Sequence, residues 1–190
     1  MSEDKLVLVT QNKHKIEELK PLFDEYGLSF DTTPLEKFEI RSHDIEEIAI
    51  EAAKYGHKVL NRSVVVDDTG FFVSALNDFP GSYAAYVLKS IGYQGILKLL
   101  EDVENRFARF ETAVAFCDGI KVKSFRGVMQ GQISKYPSGK SGFGYDPIFV
   151  PNGVAKTYAD LELPEKIAIS HRTKAFRAFL EWRTRIPDNP

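Results

Sequence analysis

Cysteine is nearly missing from this chain: Cys117 stands alone among 190 residues. A single cysteine excludes an intrachain disulfide framework and a Cys-rich zinc site, and Cys117 itself reads as a buried strand residue with no chemistry. An excess of positive charge is also missing. There are 25 Lys and Arg against 27 Asp and Glu, for a net charge of −2, and the pI is near 6.1. A protein that grips polyanions over its whole surface is more basic than this, so nucleic acid is not an expected partner and any phosphate binding should be local. No apolar run approaches the ~20 residues of a membrane helix. The start, MSEDKLVLVT, lacks the basic residues and long apolar core of a signal peptide. The expectation is a cytoplasmic protein without a membrane partner. Low-complexity linkers and internal repeats are absent as well. With 43% hydrophobic residues, the chain suits one domain over residues 1–190, or two small lobes, with an ample core.

What is present alternates between strand and helix. KLVLVT (5–10) reads as a buried strand. NKHKIEELKPLFDEYG follows as a helix, with Ile16, Leu19 and Phe23 three and four apart, and Pro21 should kink or shorten it. SFDTTPL reads as extended. DIEEIAIEAAKYGHKVL (44–60) reads as a helix whose face is Ile45, Ile48, Ala49, Ala52 and Ala53. SVVVDD is the next strand. SYAAYVLKSIG and YQGILKLLEDV read as two helices separated near Gly92. RFETAVAFCDG and KVKSFRGVMQGQIS read as long strands joined in a hairpin at Asp118-Gly119. A last helix begins near SHRTKAFRAFLEWR, with Ser170 as its N-cap. Early alternation followed by a hairpin argues for an α/β fold with a mixed central sheet flanked by helices.

Four stretches carry candidate chemistry. TQNKHK (10–15) joins a strand to a helix, where backbone N–H groups and the positive end of the helix dipole are available. Thr10 and Asn12 add side-chain donors, and Lys13 and Lys15 add charge. The set suits a phosphate chain but lacks the glycines and the G-K-[ST] ending of a Walker loop; an ordinary helix start with solvated lysines is the alternative. In VVVDDTGFFV, Asp67 and Asp68 interrupt an apolar run and Thr69-Gly70 turns the chain into another. Adjacent strand residues point to opposite faces, so one carboxylate can meet a hard cation while the other bonds backbone or a lysine. Mg2+ prefers oxygen ligands and takes one or two carboxylates plus substrate phosphates. An Asx-turn or helix cap is the alternative, but Val64-Val65-Val66 implies a central strand whose carboxyl end is the usual ligand crevice of an α/β sheet.

SGKSGFGYDPIFVP (138–151) combines Gly139, Gly142 and Gly144, which allow close backbone approach, with Phe143 and Tyr145, which offer stacking faces. Asp146 can accept hydrogen bonds from a base edge. The alternative is a surface loop with its aromatics packed inward. In EKIAISHRTKAF (165–176), Lys166, Ser170, His171 and Arg172 gather at a helix start, where basic groups oppose the dipole. A polar ligand explains that placement; surface charges at an interhelical corner are the alternative.

Together these stretches resemble the inosine triphosphate pyrophosphatase, or Ham1-like, family of noncanonical purine nucleotide pyrophosphatases. The motifs are T-x-N-x-x-K, D-D-[ST]-G, A-L-x-x-F-P-G-[ST]-Y, G-F-G-Y-D-P-I-F and E-K-x-x-I-S-H-R. They fall here at Thr10 to Lys15, Asp67 to Gly70, Ala75 to Tyr83, Gly142 to Phe149 and Glu165 to Arg172. Each is weak alone, and all five in order are specific. The wording is closest to the archaeal branch. The resemblance implies an elongated α/β protein of two lobes with a substrate cleft between them, working as a homodimer. It implies hydrolysis of ITP, dITP and XTP to the monophosphate and pyrophosphate with Mg2+, as house-cleaning of the nucleotide pool. It assigns the triphosphate to Thr10, Gln11, Asn12, Lys13, His14 and Lys15, with Lys54 near the phosphates. It makes Asp68 both metal ligand and proton acceptor, and Glu39 in FEIRS the second metal ligand. Thr69 stands where serine is commoner and keeps the hydroxyl. Phe143, Gly144, Tyr145, Asp146, Lys166, His171 and Arg172 would form the base pocket.

The implied mechanism is attack by a metal-oriented water on the α-phosphorus. Asp68 accepts the proton, Lys15 and Lys54 stabilise the leaving pyrophosphate, and Asp67 orients a lysine. Inosine and xanthine present a 6-oxo acceptor and an N1–H donor, where adenine presents the reverse. A pocket with donors from His171 or Arg172, and Asp146 as acceptor, leaves adenine with unpaired groups, a mismatch that gives discrimination of roughly 10⁴. Guanine must be rejected through its 2-amino group. A pyrophosphatase for other damaged nucleotides, such as pyrimidine triphosphates, fits E-K-x-x-I-S-H-R poorly. A sensor without turnover would have no need of Asp68, Lys15 and Glu39.

Overall fold

The computed structural model describes residues 5–185. They form a mixed seven-stranded sheet and five helices. The strands are β1 (Leu6–Leu8), β2 (Phe30–Thr32), β3 (Val64–Val73), β4 (Phe79–Gly81), β5 (Phe107–Cys117), β6 (Val122–Ile133) and β7 (Phe149–Pro151). The helices are α1 (Lys13–Glu25), α2 (Ile45–Leu60), α3 (Ala84–Leu99), α4 (Leu163–Ile169) and α5 (His171–Arg185). Strand order is β2-β1-β3-β5-β6-β7, with β4 on β3. β1 runs parallel to β2 and β3, while β3–β4 and β6–β7 are antiparallel. The α/β class with a mixed sheet is therefore as the alternation of elements implied. Two compact units share the chain: the described parts of Met1–Asp68, Thr112–Gly127 and Arg172–Pro190, and Thr69–Glu111 with Val128–His171.

The first unit has its own core, in which Leu8, Val65, Val114 and Phe116 meet Leu19, Leu22 and Phe23 of α1 and Phe176 and Phe179 of α5. Asn12 caps α1, its Oδ1 accepting from the N–H of His14 at 3.0 Å and of Lys15 at 3.4 Å. Of the two effects expected of Pro21, a kink or a shortening, the second does not occur: the helix runs on through it to Glu25. An interior proline costs about 3 kcal/mol, whereas each large apolar side chain gains about 1.5–3 kcal/mol on burial. Leu19, Leu22 and Phe23 are all buried around it. Asp44 caps α2 by accepting from the Glu46 N–H at 2.9 Å. The β5–β6 turn is held by Asp118, whose Oδ1 accepts from the N–H groups of Ile120 and Lys121.

The second unit is built around aromatic rings. Phe71, Phe110, Tyr145, Phe149 and Tyr158 lie in one cluster. Gly92, at φ 66°, breaks α3 into two segments, the separation expected there.

Two expectations are corrected. Thr69-Gly70 is not a turn: β3 continues unbroken from Val64 to Val73, with the paired carboxylates in mid-strand rather than at its carboxyl end. Gly70 serves packing instead. A Cβ there would lie 2.5 Å from the Phe72 ring and 3.1 Å from the Gly81 carbonyl oxygen. Gly70→Ala is therefore expected to lower stability by about 1–3 kcal/mol, as overpacking does; a denaturant midpoint equal to wild type would refute that reason for the glycine. The second correction is at the last helix. That helix begins directly after Ser170, as expected, but Lys166, grouped with its start, belongs to an earlier helix, α4. The overlooked start signal is Glu162-Leu-Pro-Glu165, whose two glutamates form a capping box with Pro164 in the first turn.

Candidate active site

In the first unit, β3 presents Asp67 and Asp68 to opposite faces of the sheet. Asp67 is 1% exposed. Its Oδ2 accepts from Lys15 Nζ at 2.7 Å and lies 3.5 Å from Arg172 Nε. Arg172 Nη1 also donates to Glu18 Oε2 at 2.5 Å, and both of those groups are buried. Burial alone would raise the Asp67 pKa. The charge of Lys15, then that of Arg172, then the Lys15 hydrogen bond outweigh it and hold the carboxyl well below the usual range. Burial also lowers the Lys15 pKa, despite Asp67 beside it.

Asp68 faces a different set. It is 8% exposed. Its Oδ1 accepts from Lys37 Nζ, and its Oδ2 has no hydrogen-bond partner among the described residues. Burial raises its pKa above the ordinary aspartate value against the pull of Lys37 and Lys15. An elevated carboxyl pKa suits a proton acceptor working near neutral pH. Lys37 Nζ also donates to Glu39 Oε1 at 3.0 Å, and the Glu39 side chain is 62% exposed. Burial pulls the Lys37 pKa down, but the charge and hydrogen bond of Asp68, with Glu39 and Asp67, carry it above the ordinary lysine value. One ammonium thus bridges the two carboxylates expected to hold Mg2+.

No group of three or more His, Cys, Asp or Glu side chains is gathered as a metal cage among the described residues. Mg2+ needs no such cage, since it is held by one or two carboxylates and completes its shell with water and phosphate. Asp68 Oδ1 and Glu39 Oε1, which already share the Lys37 ammonium, are oxygen ligands of the right kind. The donor set fits the ion.

The remaining first-unit candidates are distributed more widely. Thr10 Oγ1 accepts from the Asn12 N–H at 3.2 Å, so the side chains of Thr10 and Asn12 shape the helix start from within. Gln11 Nε2 donates to the Pro34 carbonyl at 2.8 Å. Lys13 is exposed, and His14 lies 3.7 Å from Glu17. Lys54 pairs with Glu51 at 2.7 Å on the exposed side of α2. Of the basic groups expected at the phosphates, Lys15 is bonded to Asp67 of the aspartate pair.

In the second unit, Thr69 follows Asp68 on β3. Asp146 Oδ2 accepts from Lys166 Nζ at 2.6 Å and from the Phe143 N–H at 2.7 Å. Lys166 lies over the Phe143 ring, 4.7 Å from its centroid. Gly142, at φ 78°, closes this loop: a Cβ would stand 2.3 Å from Asp146 Oδ2. Gly144 is also at positive φ. The His171 ring stacks on Phe110 at 4.7 Å. Tyr145 departs from its expected role as a stacking face. It is buried against Phe71 at 4.5 Å, with its hydroxyl donating to the Ala84 carbonyl at 2.9 Å, because the aromatic core takes the ring. Asp146 likewise differs from a free acceptor for a base edge, since the Lys166 ammonium and the Phe143 amide share its Oδ2. Arg172 departs furthest from its grouping with the base pocket. Its guanidinium lies against Asp67 and Glu18 in the first unit.

The Ham1 family pattern matches residues 6–182. The chain belongs to the Ham1 family. It is 45% identical over 179 residues to a dITP/XTP pyrophosphatase of Methanopyrus kandleri, covering 94% of this chain and 95% of that protein. To a dITP/XTP pyrophosphatase of Hyperthermus butylicus it is 44% identical over 177 residues, covering 93% of each. A solved HAM1 protein from Coxiella burnetii superposes with a TM-score of 0.86 at 30% identity, covering 97% of this chain and all 100% of that one. In this Ham1 chain the sequence reading passed over Lys37 and Glu18. Lys37 stands two residues before Glu39, and that spacing was its signal. Glu18 sits beside Leu19 on the buried side of α1, an acidic residue on an apolar stripe that called for a basic partner.

Proposed function

We propose that this chain is a nucleoside triphosphate pyrophosphatase that hydrolyses dITP, ITP and XTP to the monophosphate and pyrophosphate, clearing noncanonical purines from the nucleotide pool. The observation that carries the mechanism is Asp68: a buried carboxylate with one oxygen on Lys37 and the other without a partner among the described residues. Family membership and the names of its close relatives support the substrate class.

Asp68 and Glu39 would hold Mg2+, which when bound supplies charge neutralisation on the phosphates and a more acidic water. Asp68 accepts the proton of the attacking water at Oδ2. The water oxygen forms the new bond to the α-phosphorus, and the bond from that phosphorus to the bridging oxygen breaks, with its electron pair leaving on pyrophosphate. Lys15, set by Asp67, supplies positive charge for that developing negative charge. On the second unit, Lys166 and His171 supply donors for a 6-oxo purine, and Asp146 sets the direction of Lys166. An adenine 6-amino group would bring a donor to those donors.

No helix among the described residues is long and apolar enough to cross a membrane. A cytoplasmic homodimer completes the reading, and light scattering of the purified chain tests its stoichiometry. The function itself is tested by pyrophosphate release, with Mg2+, from dITP, ITP, XTP, GTP and ATP. Release from the first three is expected to exceed that from ATP by roughly 10⁴. Equal rates on all would remove the base-recognition argument, and no release from any would leave a binding protein.

A further inference from the structure

Lys37 is the one charged group in the Asp68 centre with no role in the reaction as described. It comes from the segment between β2 and α2, and its side chain is 18% exposed. Its ammonium bonds Asp68 Oδ1 and, at 3.0 Å, Glu39 Oε1. An ammonium is a compact charge with three donors and no acceptor, so it serves these carboxylates in the way a cation does. Asp67 adjoins them but has Lys15 and Arg172 of its own. Without Lys37, Asp68 would be a buried carboxylate with no bonded cation, an arrangement that burial penalises heavily. With it, the two oxygens that a divalent ion would coordinate are already bonded to positive charge. A divalent ion entering on those same oxygens meets the repulsion of the ammonium.

We propose that Lys37 is a tethered counter-ion of the metal site: it holds Asp68 and Glu39 in place while no divalent ion is bound, and is displaced when one enters. The proposal rests on Asp68 and Glu39 as the metal ligands, and it makes Lys37 a positioning residue that competes with metal. Its consequence is a site that stays ordered without metal and binds a free divalent ion weakly. The triphosphate, which brings further oxygen ligands, then tips the balance toward the loaded state.

The test is binding of Mn2+ alone, followed by the paramagnetic signal of the free ion, to the full chain and its variants. Lys37→Met is expected to bind Mn2+ about tenfold more tightly than wild type, a change of about 1.4 kcal/mol. Lys37→Gln carries the same expectation and guards against a single misfolded variant, while Lys37→Arg keeps the charge and should bind like wild type. In chelator, Lys37→Met should melt below wild type, and that loss should vanish in an Asp68→Asn background. Added Mg2+ should then raise the melting temperature of Lys37→Met more than that of wild type. Mn2+ binding that needs Asp68 but is equal or weaker in Lys37→Met overturns the displacement. Mn2+ binding indifferent to Asp68→Asn, or absent from every variant, removes the metal reading itself and the proposal with it.

Discussion

Asp68→Asn is expected to reduce pyrophosphate release from dITP and XTP by roughly 10²–10⁴, the range a positioned general base contributes. The substitution keeps the shape of the side chain and removes its charge and basicity. The loss should appear in kcat, because the carboxylate's task of taking a proton arises only as the water attacks. Folding should survive. The variant also removes a carboxylate that burial disfavours in its charged form, so its melting temperature should stay close to that of wild type even though Lys37 loses a partner. A variant retaining more than a tenth of wild-type kcat would show that Asp68 is not the proton acceptor. A variant that fails to fold would show instead that Asp68 is chiefly a structural partner of Lys37.

Arg172→Ala is expected to fail in a different way, through stability. Its guanidinium lies between Glu18 and Asp67, and all three groups are buried. Removing one member of a buried charge cluster leaves uncompensated charge and costs about 3–5 kcal/mol. For a chain of this length each kcal/mol moves the melting temperature by about 2–4 °C, so a fall of roughly 10 °C is expected. Asp67 keeps Lys15, but Glu18 loses the cation bonded to it. Arg172→Lys should recover part of the loss, since it restores the charge without the fork that reaches two carboxylates. The pairing Glu18→Gln with Arg172→Met should be milder than Arg172→Ala alone, because it removes both charges together. A melting temperature within 2 °C of wild type for Arg172→Ala would refute the structural role and return Arg172 to the purine pocket, where KM for dITP should then rise.

The two predictions separate roles that the sequence placed side by side. Asp67 and Asp68 are adjacent letters, yet the alternation of a strand sends one into a lysine–arginine cluster and the other toward Lys37. His171 and Arg172 are adjacent too, yet one ring stacks on Phe110 and the other side chain pairs with Glu18. Local pattern carries no information about which distant partner each will meet.

Much was nonetheless legible. Apolar spacing located α1 and α2, Gly92 located the break in α3, and Asp118-Gly119 located the hairpin, because helix faces, positive φ and tight turns are governed by near neighbours. Composition already excluded an intrachain disulfide scaffold, since one cysteine has no partner in its own chain. The motif order identified the family, since five spaced patterns depend on letters alone. Only the tertiary structure decided that β3 runs straight through Asp67-Asp68-Thr69-Gly70, because the Phe72 ring and Gly81 carbonyl that crowd Gly70 are brought there by packing and strand pairing. Only it turned Tyr145 into the core and set Lys166 on Asp146. And only it brought Lys37 to Asp68, 31 positions away along the chain, since a bond between a loop lysine and a mid-strand aspartate exists only after the sheet has assembled.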